Sequence, residues 1–153
     1  MTPDGMVVRR SQAGPKATAD ILAAAASERG MTILARIDHA AAAARAGLSL
    51  RATEVLIFGD PRAGTPLMQA AQTLGIDLPL KALVWEDREG RTWLGYDKPA
   101  WLARRHGAAA DVVPILEGMA EALAALAKQS TAGGSAAALG NSEGGPDVKP
   151  AQP

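Results

Sequence analysis

The spacing of apolar residues switches repeatedly between two and about 3.6, the periods of strand and helix. "MVVRR" (6–10) predicts a short edge strand. In "GPKATADILAAAASERG" (14–30) Ile21, Leu22, Ala25 and Ala26 form a helical stripe, and Gly30 stands where a left-handed cap belongs. "MTILARI" (31–37) reads as a strand. "DHAAAAARAG" (38–47) reads as a short helix with Asp38 as N-cap and Gly47 as its stop. "TEVLIF" (53–58) is a strand and "TPLMQAAQTLG" (65–75) a helix. "LKALVWEDREGRTWLGY" (80–96) is a hairpin. Asp87-Arg88-Glu89-Gly90 turns it, which sets Trp85 opposite Trp93 on one face. "KPAWLARRHG" (98–107) is a turn or two of helix. "ADVVPILEGMAEALAALAK" (110–128) is a longer helix that tolerates Pro114 in its first turns.

The pattern stops near residue 129. "QSTAGGSAAALGNSEGGPDVKPAQP" is rich in Gly, Ala, Ser and Pro, with Leu139 and Val148 as its only large aliphatics. Such a segment buries too little to offset its chain entropy, so residues 129–153 read as a disordered tail. The folded unit is a single domain over residues 4–128.

"VLIFGDPRAGTPLMQAAQTLG" (55–75) approaches a phosphate-binding loop: an apolar run ends at Gly59, and Gly64 and Thr65 follow at the right spacing. The lysine that would follow the second glycine is absent, and Pro61 and Pro66 each remove a backbone N–H. Local structure explains the same residues. Asp60-Pro61 starts a turn, Gly64 admits positive φ, Thr65 is an N-cap and Pro66 is the favoured first helical residue. Nucleotide binding therefore ranks third among the functional readings.

Four motifs in combination carry a family resemblance: Ile37-Asp38-His39; Phe58-Gly59-x-Pro61-x-x-Gly64-Thr65; Asp77-Leu78-Pro79-Leu80; and Arg105-His106. Over about residues 6–118 the chain resembles the bacterial and archaeal family known as domain of unknown function 302. Asparagine is frequent there at the position of Asp60, and either residue forms turns. The resemblance implies an α+β domain of two layers, a mainly antiparallel sheet with helices packed on one face, reminiscent of the TATA-binding-protein-like arrangement. It implies no reaction, and fold alone does not carry function.

Sixteen basic residues balance sixteen acidic ones, so overall charge recommends neither nucleic acid nor an anionic membrane as partner. The chain has no cysteine, hence no disulfide or thiolate chemistry. With no apolar leader and no spanning run, the expectation is a cytoplasmic protein. Candidate polar site residues are Asp38, His39, Asp60, Thr65, Tyr96, Arg104, Arg105 and His106, all in or beside the motifs. No catalytic motif emerges, which leans away from an enzyme.

The two histidines, His39 and His106, would suit a divalent metal together with Asp38 or Asp60 if the fold joined them. Otherwise Asp38 and His106 are helix caps. Trp85, Trp93, Tyr96 and Trp101 crowd into seventeen residues, a composition suited to an apolar ligand pocket, a homo-oligomer interface or a small core. The leading expectation is a small binding or interaction module for an unidentified small molecule or a second copy. A metal- or cofactor-binding protein using His39 and His106 is the alternative, its cofactor unknown.

Overall fold

The computed structural model describes residues 1–108 and 110–134. The chain runs β1 (Met6–Arg10), α1 (Pro15–Glu28), β2 (Thr32–Asp38), α2 (His39–Arg45), β3 (Thr53–Gly59) and α3 (Pro61–Ala70). A 3₁₀ turn (Gln72–Ile76) then leads to β4 (Leu80–Glu86), β5 (Thr92–Asp97), α4 (Pro99–Arg105), a second 3₁₀ turn (Ala110–Val112) and α5 (Val113–Thr131). The strands form one antiparallel sheet in the order β1-β5-β4-β3-β2. The α+β expectation holds, with α1 and α5 side by side over one face of that sheet.

Strand alternation decides which side chains meet those helices. Leu56 and Phe58 of β3, Ala82 and Val84 of β4, and Leu94 and Tyr96 of β5 all point to the helix side and are buried. Leu56 and Phe58, at 0 % exposure, lie at the centre of the core. Alanines do the matching work on the helices: Ala19, Ala25 and Ala26 of α1 and Ala127 of α5 are buried. Small side chains let the helix backbones approach the sheet, so the strands supply the volume. The opposite face carries Val8, Leu83, Trp85, Trp93, Val55 and Ile57, which the register places together.

Local signals set most boundaries. The Asp38 carboxylate accepts from the Ala41 N–H at 2.9 Å and starts α2, and Gly30 and Gly47 both take positive φ after their helices. Pro114 falls in the first turn of α5. The hairpin has the expected register, with Trp85 opposite Trp93 and Gly90 at φ 75°.

Two boundaries differ from the sequence reading. Helix α3 begins at Pro61, not Pro66, because Asp60 caps it first: its Oδ1 accepts from the Arg62 N–H at 2.9 Å. Thr65 therefore lies inside the helix, and Gly64 has no need of positive φ. Asp60-Pro61 and Thr65-Pro66 are the same cap-and-proline signal, and the upstream pair wins because β3 ends directly against it. The helix then breaks at Ala71 (φ −148°, ψ 96°) instead of reaching Gly75. At the far end α5 runs to Thr131, past the expected limit of 128. Ser130 and Thr131 are buried, and Thr131 Oγ1 accepts from Arg9 Nε at 2.8 Å. From residue 135 on, the expected tail lies outside the described residues.

The cap assignment has a direct check in thermal or denaturant unfolding. Asp60→Ala should cost about 1 kcal/mol, the usual worth of an N-cap, whereas Thr65→Ala should stay within about 0.5 kcal/mol.

Candidate functional site

The strand–turn–helix at β3–α3 walls a cleft of about 360 Å³. Gly59, Asp60 and Pro61 form one rim where β3 passes into α3, and Ala63, Gly64 and Met68 present one side of that helix. Leu78, Pro79 and Leu80 close the opposite wall from the approach to β4, while Met31 enters from just before β2, Leu34 from β2 and Met119 from α5. The lining is apolar apart from Thr32 and Asp60. Two of the four family-like motifs thus face each other across one cavity. Three of the chain's five methionines line it, a flexible and polarizable surface that adapts to irregular apolar ligands.

The α3 start offers an anion nothing. Pro61 has no N–H, the Arg62 N–H is held by the Asp60 carboxylate, and the Ala63 and Gly64 N–H groups donate to the Asp60 carbonyl at 3.0 and 3.1 Å. A phosphate loop needs such groups free and pointing outward. The resemblance to one is a coincidence of glycine spacing.

Beside the cleft, a second pair of motifs meets. The imidazole of His106 contacts Asp77 Oδ2 through Nε2 at 2.5 Å and Thr73 Oγ1 through Nδ1 at 2.9 Å. Arg105 Nη1 donates to both Asp77 oxygens at 2.9 Å. The His106 side chain is only 9 % exposed. Its ring reaches across to the 3₁₀ turn after α3, where the sequence suggested a bond to its own helix's terminal carbonyls. The network pins the C-terminus of α4 to the segment that precedes Leu78 and Pro79, and so holds one cleft wall. Burial raises the Asp77 pKa, but the hydrogen bond from His106 and the charge of Arg105 outweigh it, leaving the carboxyl below its ordinary range.

A family model described as domain of unknown function DUF302 matches residues 7–126. The chain belongs to the DUF302 family. Its curated relatives include the fluoride-specific ion channel FluC 1 of Brucella suis biovar 1, 47 % identical over 110 residues, or 71 % of this chain and 43 % of that protein. The fluoride-specific ion channel FluC 1 of Brucella abortus biovar 1 is also 47 % identical over 110 residues, which cover 41 % of it. The matched region therefore spans less than half of these relatives. Among the described residues no helix is long and apolar enough to cross a membrane. A crystal structure of an uncharacterized conserved DUF302 protein from Bacillus stearothermophilus is similar at a TM-score of 0.74 and 19 % identity, covering 84 % of this chain and 99 % of that one. It supports the fold.

Within this DUF302 domain the other candidate residues scatter. His39 is exposed at the start of α2, by the sheet end where Asp38 pairs with Glu54. His106 lies by the other end, reached from the last residues of β5 and the first of β4. About 20 Å of strand separates those ends. The shared metal site of His39 and His106 is thereby excluded, and among the described residues no three His, Asp or Glu side chains are grouped to hold a metal ion. Asp38 is a cap, Thr65 and Arg104 are exposed, and Arg105 serves Asp77.

The aromatics do not form one cluster either. Period-two alternation sends Tyr96 to the helix-side core and Trp93 to the opposite face. Trp101, on α4, lies over Gly5 and donates to Asp4 at 3.2 Å. Trp85 crosses Gly95, where an added Cβ would come within 3.1 Å of its ring. With Met6, Val8, Leu83 and Trp93 it lines a shallow groove of about 330 Å³.

Two acids outside the candidate site residues matter most. Asp77 was legible only as part of Asp77-Leu78-Pro79-Leu80, since its partner lies 29 residues away. Asp87, read only as the opening residue of the hairpin turn, binds the hairpin together. It accepts from Trp93 Nε1 and Arg91 Nε at 2.8 Å and from the Arg91 and Glu89 N–H groups at 2.9 and 3.0 Å. An aspartate opening a three-residue turn was the available signal.

The lowered Asp77 pKa fixes a pH window. A carboxyl depressed on folding contributes stability above its unfolded value, near 3.9, and loses it as pH falls through the folded value. Asp77→Asn should therefore destabilise the domain by about 1–3 kcal/mol at pH 7, as expected for charged hydrogen bonds, with the gap from wild type narrowing below about pH 4. Denaturant melts at both pH values measure it.

Proposed function

We propose that this DUF302 domain is a binding module whose β3–α3 cleft takes a small apolar molecule. The observation that carries this reading is the cleft itself. Glycines, prolines and leucines from two separate motifs, which local structure explains one by one, jointly line a single apolar cavity. Its volume of about 360 Å³ falls at the lower end of the roughly 300–1,000 Å³ typical of ligand pockets.

A second reading rests on the uncovered sheet face. Trp85, Trp93, Leu83 and Val8 present apolar surface with a tryptophan pair at its centre, the composition of a protein interface. Self-association, or docking to a companion domain, would cover it. The relatives named as fluoride-specific ion channels support the companion, since the region they share with this chain is less than half of their length.

The cleft reading is tested by titrating a neutral aliphatic probe, 1-decanol, into the protein by calorimetry. Binding is expected in wild type and absent in Gly64→Leu. A Cβ at Gly64 meets only Met68 Cε at 3.9 Å and Leu78 Cδ1 at 4.0 Å, so the larger side chain enters the cavity without a backbone clash. Replacing a helical glycine should also raise stability by roughly 0.5–1 kcal/mol, which separates lost binding from lost folding. Equal binding by wild type and Gly64→Leu would place the ligand elsewhere.

A further inference from the structure

We infer that Asp60 makes the cleft selective by charge: it favours an apolar chain bearing a cationic head, such as an alkylammonium, over one bearing a carboxylate. The inference deepens the binding reading above and rests on it. Asp60 is the one charged side chain among the residues that line the cleft. Its Oδ1 is engaged with the Arg62 N–H, while Oδ2 has no hydrogen-bond partner among the described residues. The neighbouring Arg62 is 94 % exposed with its Nε 4.0 Å from Oδ1, so water screens most of its charge.

The helix start would ordinarily argue the other way, because a helix N-terminus attracts anions through its unpaired N–H groups and its dipole. Here those groups are spent. One position is proline, one N–H is capped by the carboxylate, and two donate to the Asp60 carbonyl. What remains at the α3 start is the negative charge of Asp60, its side chain 39 % exposed, at the rim of an apolar cavity. A carboxylate head would meet repulsion, with the Thr32 hydroxyl as the one side-chain donor among the lining residues, and a cationic head would meet an opposite charge. The α3 start thereby becomes a filter on the head group, while the methionine-lined interior accepts the chain.

The test uses three ten-carbon probes below their aggregation limits: decyltrimethylammonium, 1-decanol and decanoate. Affinities are measured by calorimetry in low salt for wild type and for Asp60→Asn. Asparagine keeps a capping oxygen for the Arg62 N–H and removes only the charge. The ratio of cation to alcohol affinity should fall about three- to fivefold in Asp60→Asn, the worth of an exposed ion pair, and the ratio of decanoate to alcohol affinity should rise similarly. Added salt should shrink both differences. If decanol binds and the ratios do not change with Asp60→Asn, charge selection is wrong and the cleft reading stands. If no probe binds either protein, the cleft reading fails and charge selection fails with it.

Discussion

The burial of Leu56 and Phe58 beneath α1 and α5 is the constraint on which the rest of the molecule depends. Both lie on the helix side of β3, and neither is exposed at all. With β3 fixed in phase, its neighbours follow by register: Phe58 sits opposite Leu80 on β4 and Ile33 on β2. A slip of one residue would turn every core side chain of the strand outward, so this phase is strongly held. It also fixes where β3 ends. Gly59, Asp60 and Pro61 come out at the C-terminal end of this interior strand, facing Leu78 and Pro79, and the gap between those two segments is the cleft.

The polar contacts around the core consolidate that geometry. Asp60 starts α3 at the cleft rim, and the Asp77–His106 contact ties α4 to the opposite wall. At the far end of the sheet, Asp87 gathers the hairpin by accepting from its own turn and from Trp93. Each carboxylate gains acceptor bonds at a place where backbone N–H groups or cationic side chains would otherwise lack a fixed partner. The tryptophan face beyond the hairpin is built differently, with Gly95 leaving room for the Trp85 ring to lie flat across the sheet.

What could be read from the chain divides by range. The helix stripe of α1, the Asp38 cap and the Asp87–Gly90 turn are local signals, and each element formed where they pointed. Asp60-Pro61 and Thr65-Pro66 satisfy the same capping rule, so only the packed end of β3 selects between them. The sidedness of Trp93 and Tyr96 was available from strand parity alone, yet their closeness in sequence suggested one cluster. The pairing of Asp77 with His106, and the facing of the two cleft motifs, arise from tertiary packing that no spacing reveals. The two histidines were separated for the same reason.

The account stands on the claim that the β3–α3 motif encloses a ligand cleft, and the methionine methyls report on it directly. Met31, Met68 and Met119 line the cleft, whereas Met6 lies on the opposite side of the sheet near Gly95. In a protein labelled at the methionine methyl carbons, an NMR titration with 1-decanol should shift Met31, Met68 and Met119 together and leave Met6 in place. Movement of Met6 with the other three unchanged would contradict the account and put the binding surface on the tryptophan face.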